Sequence, residues 1–219
     1  MPPNVFREKR YNGYGHYVPF IVFIVLTFFQ DKLGLKYSNH IIYILKTLVT
    51  GWLLWRFRRF YTELSYKFHW SAIISGLVVI WVWIASDNLY THLGQGGWNP
   101  TFIAHNGLRT LAIFFRLAGA VLVVPIMEEL FFRSWMARWI INPDFTSIPI
   151  GTFTWPSLLI ATALFTLGHH QWLPAIFAGL VFHAHVLWKK RLADAVVSHA
   201  VANLALGIYV LKTENWQYW

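Results

Sequence analysis

The sequence predicts an all-α fold: a polytopic integral membrane helix bundle of about seven or eight transmembrane helices. Three observations carry that expectation. Of 219 residues, 57% are hydrophobic and only 12% charged, with a mean hydropathy of +0.46, whereas soluble globular domains carry roughly 25% charged residues. The apolar residues form runs of helical length separated by short basic clusters. Aromatics make up 19% of the chain, with 13 Trp, many at the ends of apolar runs where an amphipathic ring suits the membrane–water interface.

The elements follow in order. A first apolar run at about 17–30 comes after Arg7, Lys9 and Arg10. No small-residue cleavage site follows it, so it reads as a retained span and not a secretory signal. Runs at 40–57 and 71–90 approach the roughly 20 residues that cross a bilayer. The run at 107–141 is too long, since its 35 residues would make about 52 Å of helix at 1.5 Å per residue. A break near Pro125 is expected, with Arg109 and Arg116 on an interfacial first part. Runs at 156–170, 173–188 and 193–211 include lengths below a full span, which suits short helices packed inside the bundle.

Topology follows from the basic clusters: Arg7, Lys9 and Arg10; Arg56, Arg58, Arg59 and Lys67; Arg133 and Arg138; Lys189, Lys190 and Arg191. They alternate with basic-poor connections, and the stretch from Asp87 to Asn106 contains no Lys or Arg. A cytoplasmic N-terminus satisfies every cluster if 107–141 crosses once. Seven crossings put the C-terminus outside and eight return it. The expected location is a bacterial inner membrane, and residues 1–219 read as a single membrane domain without internal repeats.

Composition also excludes function classes. The chain has no Cys, which removes disulfides, thiol catalysis and Cys-ligated zinc. Its net charge of +9 is dispersed between apolar segments instead of covering one face, so the expected partner is the lipid bilayer and not nucleic acid.

Three polar signatures lie within apolar segments. The first is Glu128-Glu129-Leu-Phe-Phe-Arg133. Glu129 and Arg133, four apart, share a helical face and can pair, whereas Glu128 is rotated by about 100° and left to face a cavity. The second, Phe165-Thr-Leu-Gly-His169, puts Phe165 and His169 a turn apart, with a small residue before the His. The third, His199-Ala-Val-Ala-Asn203, again puts two polar side chains on one face. Ordinary charge pairing, a structural His or interhelical polar contacts would each account for one signature. Ionisable groups inside a bilayer cost about 2.5–3.5 kcal/mol on insertion scales, so three together read as a functional site.

In this order on successive membrane helices, the three signatures resemble the CPBP family, the CAAX-protease and bacteriocin-processing group, also called Abi or type II CAAX prenyl endopeptidases. The resemblance covers roughly residues 118–211, the expected catalytic core, and no motif in residues 1–100 contributes to it. It implies a glutamic intramembrane endopeptidase. Glu128 and His169 would activate a water, His199 and Asn203 would stabilise the oxyanion, and Glu129, Arg133 and Phe165 would hold and orient that set. The implied partner is a protein or peptide substrate, lipidated or membrane-anchored, with no cofactor and no metal.

Two other classes stay open at this level. A zinc-dependent membrane protease also uses Glu and His, and His169, His199 and a Glu could ligate a metal, although His-Glu-x-x-His does not occur. A catalytically silent scaffold or chaperone, or a small transporter, could hold the same residues as a buried network. His183-Ala-His185 does not place its two rings on one helical face, so it reads as structural or interfacial.

Overall fold

The computed structural model describes residues 3–30, 37–94 and 97–219, with 3–12 as backbone alone. The side chains of Arg7, Lys9 and Arg10, and residues Gln95 and Gly96 of the basic-free loop, therefore lie outside the described residues. The described chain is all α. Its long helices are α1 (Pro3–Phe29), α2 (Ser38–Phe57), α3 (Ser71–Ala85), α4 (Asn106–Ile141), α5 (Trp155–Leu167), α6 (Trp172–Lys189) and α7 (Leu192–Thr213). By length and composition, α4 and α7 are apolar and long enough to cross a membrane, with mean hydropathies of 2.2 and 1.5. Gly13–Phe29, α3 and α5 are apolar but shorter.

α4 corrects the expected break at Pro125. It runs on through two wider π-helical turns, Gly119–Val123 and Leu130–Met136. Proline has no N–H and would leave an i−4 carbonyl unpaired. Here the register has already changed one residue earlier, where the Val124 N–H bonds to Gly119 O, and Pro125 falls in the first turn of the α-helical stretch that follows. On the first part of α4, the Arg116 guanidinium lies 4.4 Å from the centre of the Tyr43 ring and 5.7 Å from that of Trp98.

Pro19 is handled differently. Inside α1 it cannot donate to Gly15 O, and the Tyr61 hydroxyl donates to that carbonyl instead, at 2.8 Å. The 58–70 connection is thereby tied to α1. Glu63, in the same connection, accepts from His16 Nε2 at 2.7 Å, from Arg138 Nη2 at 3.1 Å and from Ser134 Oγ. Burial alone would raise the pKa of Glu63, but the His16 hydrogen bond and charge and the Ser134 hydrogen bond outweigh it and bring the pKa down to about 2. This brace closes one end of the bundle.

α3 and α7 make the closest approach. A Cβ on Gly76 would stand 2.5 Å from Ser198 O and 2.8 Å from Val201 Cβ, so only glycine fits there. Ser75 and Ser198 share a hydroxyl hydrogen bond of 2.8 Å beside it. The core joins Met127, Leu130, Phe131 and Phe132 of α4 to Phe165, Ala178, Phe182 and Ala202. Outward-facing Ile21, Ile74, Leu77, Leu122 and Leu159 are each close to or above half exposed. An apolar exterior on this scale suits lipid, not water.

Candidate active site

α4 supplies the first polar group set. The π-helical turn at Leu130–Met136 does not separate Glu129 from Arg133: Nη1 donates to Glu129 Oε1 at 3.2 Å, and both side chains are buried. Arg133 Nη2 donates to Gly179 O on α6 at 3.2 Å, and the guanidinium lies 4.4 Å from the centre of the Phe165 ring on α5. One cation thus links three helices, and Phe165 packs against it.

α7 brings the next group to the same carboxylate. His199 Nδ1 hydrogen-bonds Glu129 Oε1 at 3.0 Å, and its ring stacks on Phe182 with centres 4.8 Å apart. An ionised carboxylate oxygen can accept from both Arg133 and His199. With Nδ1–H committed to Glu129, the other ring nitrogen points to Glu128: Nε2 stands 4.0 Å from Glu128 Oε2. That oxygen is buried and has no hydrogen-bond partner among the described residues. A buried acceptor left unpaired costs about 1–3 kcal/mol, and Glu128 Oε2 shares that condition with Glu129 Oε2 and Arg133 Nε in the same site.

His169 lies just past the end of α5, after Gly168, and not on the helix itself. Its Nδ1 bonds Phe165 O at 2.8 Å, which assigns the proton to Nδ1 and leaves Nε2 as the basic nitrogen of a neutral ring. The Phe165 and Trp83 rings flank it at 4.6 and 5.7 Å. Asn203 Nδ2 donates to Ala120 O at 2.8 Å, a carbonyl inside the first π-helical turn of α4. The amide keeps a second N–H for another acceptor.

A cavity of about 260 Å³ joins these elements. His169, His199 and Asn203 line it together with Trp83 and Phe165. Glu128 does not line it and meets it through His199. Among the described residues, no hydrogen bond or ion pair joins Glu128 to His169. The structure therefore gathers Glu128, Glu129, Arg133, His199 and Phe165 into one contact network, and sets His169 and Asn203 on the wall beside it.

The cavity wall also holds Lys46 and Arg116, which the motif reading passed over. Lys46 Nζ donates to Thr27 Oγ1 and Gln30 Oε1, both at 2.9 Å, and lies over the Phe23 ring. A lone Lys in the apolar run Ile41–Trp55 was the available signal, since an intramembrane cation marks a functional candidate. Arg133 and Arg138, a basic cluster in the sequence, do not mark the cavity mouth: Arg138 belongs to the Glu63 brace, and the cavity reaches the surface at exposed Gly168, His170 and Gln217. Ten residues of helix, about 15 Å, separate Glu128 from Arg138 along α4.

No group of three or more His, Asp or Glu among the described residues is disposed to hold a metal ion. His183 and His185 are both buried and separate as expected, with His185 Nε2 placed 3.2 Å from Ser71 Oγ.

Residues 110–205 match the family model described as type II CAAX prenyl endopeptidase Rce1-like, and that stretch holds all three signatures. Neither the curated proteins nor the solved structures give a significant match.

Proposed function

From residues 110–205, which carry the Rce1-like, type II CAAX prenyl endopeptidase family, we propose that this chain is an intramembrane endopeptidase that cleaves a lipidated or membrane-anchored protein with a water activated by Glu128 and His169. The observation that carries the reading is the buried Glu128 Oε2, without a hydrogen-bond partner among the described residues and 4.0 Å from a histidine held by Glu129, which Arg133 holds in turn. A carboxylate oxygen without such a partner is available to a water proton. In the proposed step the water oxygen attacks the scissile carbonyl carbon, Glu128 takes the water proton, and that proton passes to the leaving amine as the C–N bond breaks. The carbonyl oxygen becomes an oxyanion that His199 Nε2–H and the free N–H of Asn203 stabilise. His199 must carry both ring protons for that role, because Nδ1–H already serves Glu129.

We propose seven crossings, one for each long helix, in a bacterial inner membrane with the N-terminus cytoplasmic. A second reading, a silent membrane scaffold, draws on two observations: Asn203 already donates to Ala120 O, and no hydrogen bond or ion pair joins Glu128 to His169 among the described residues.

A purified preparation assayed against lipidated and unlipidated peptides, with Glu128→Ala as control, tests the proposal. Cleavage that depends on Glu128 and survives strong chelators supports the water mechanism. Cleavage abolished by chelation, with about one zinc per chain, would promote the metalloprotease reading. No cleavage of any peptide would favour the scaffold.

A further inference from the structure

The cavity mouth and the basic clusters of the connections lie at opposite ends of the bundle. α3 lines the cavity only from Val79 onward, α7 only from His199 onward, and α5 only from Phe165 onward. All three run from the braced end toward the end that carries the 86–105 connection. There the cavity rim is tied to that connection: Leu93 N–H donates to His170 O at 2.8 Å, and Trp98 N–H to Trp219 O at 2.7 Å. None of the 58–70 or 142–154 connections contributes to the lining.

The braced end is sealed by polar contacts that need no ligand. Glu63 closes it on one side. On the other, Asp194 accepts from His69 N–H at 2.6 Å and from Arg191 Nε at 2.9 Å, and Lys190 Nζ donates to Gly151 O. This sealed end also carries Arg56, Arg58, Arg59, Lys67 and the Lys189-Lys190-Arg191 turn. Among the described residues the open end has Arg109 and Lys212, with Arg116 on the cavity wall. Lys and Arg in short loops mark the cytoplasmic side. The excess belongs to the sealed end.

We propose that the cavity opens on the non-cytoplasmic face of the membrane, so that its substrate is a membrane-anchored segment presented at that face. This rests on the protease reading only for the word substrate; the side of access stands on the geometry and the charge distribution. A segment at the cytoplasmic surface would meet the Glu63 and Asp194 contacts, with no opening to the site.

The chain has no cysteine, so each introduced one reports alone. Gln217→Cys sits at the exposed rim, Thr91→Cys in the connection beside it, and Ser65→Cys at the opposite, exposed end. In bacterial spheroplasts treated with a membrane-impermeant maleimide, Gln217→Cys and Thr91→Cys should label before lysis to the extent reached after it. Ser65→Cys should label only after lysis. The reverse pattern overturns the proposal, and labelling of both ends before lysis, a dual topology, overturns it as well. Thr91→Cys labelling with Gln217→Cys silent even after lysis would show that the cavity is not open at this rim, and also overturns it. A cleavable peptide added to intact spheroplasts and to inverted vesicles gives the second arm. The expected labelling with no cleavage from either side would sink the protease reading and leave the access side standing. Cleavage from the inverted side alone would overturn the access side.

Discussion

Glu128 and Glu129 are neighbours in sequence with different contacts, and the difference underlies the roles proposed for them. Glu129 is fully buried and serves Arg133 and His199. Removing one partner of such a network strands the others, a loss of about 3–5 kcal/mol. Glu129→Ala and Arg133→Ala are therefore expected to lower folded yield and melting temperature in detergent. Glu128→Gln, nearly isosteric at an oxygen that has no partner, should melt like the parent and lose cleavage. Equal destabilisation by all three changes would refute this division. For Asn203→Ala, losing one oxyanion donor predicts a kcat lower by about 10² to 10³-fold with little change in KM. A KM effect of that size would place Asn203 in substrate binding instead. The Glu129–Arg133 pair was legible in the sequence because four residues along a helix make neighbours. The His199 bond to Glu129 was not, because a separation of 70 residues says nothing about contact.

At the scale of elements, α3 and α7 are held together by what glycine leaves out. Gly76→Ala puts a methyl against Ser198 O, a backbone atom that cannot swing aside, and should destabilise by about 1–3 kcal/mol. Gly51→Ala is the control. Its Cβ would meet Val123 Cγ2 at an ordinary 3.7 Å, so the change should be neutral or stabilising by up to about 1 kcal/mol from helix propensity. Thermal melts of the two variants check the contrast, and similar losses at both positions would contradict the packing argument. α4 belongs to this scale too. Its length and its proline were both visible in the sequence, but the break they suggested is replaced by π-helical turns. Each such turn adds a residue to one hydrogen-bonded ring, and whether that is cheaper than a break depends on the neighbours packed around it.

For the whole molecule, the brace at Glu63 predicts an acid dependence. Its pKa in the fold is about 2, below the ordinary 4.5, so the stability it contributes is fully present above about 4.5 and is lost as pH falls toward 2. Melting temperature in detergent should decline across that window. Glu63→Gln should melt lower at neutral pH and show a flatter profile between pH 4.5 and 2. An unchanged slope in the variant would assign the acid dependence to other groups.

The all-α class, the positions of most helices and the three polar signatures were determined by the sequence alone, because hydrophobic run length and i, i+4 spacing are local properties of a chain. Even Phe165 and His169 were correctly placed beside each other, although His169 stands beyond the helix end and reaches back to Phe165 O. Which end of the bundle opens was decided only by the tertiary structure. Arg133 and Arg138 pointed to one end by charge, yet Arg133 is consumed by Glu129 and Gly179, and Arg138 by Glu63 and Ser134. A buried cation must find its acceptors wherever the packing supplies them. Lys46 entered the cavity for the same reason, since Thr27 on α1 and Gln30 just past its end come within reach only when α1 and α2 are packed side by side.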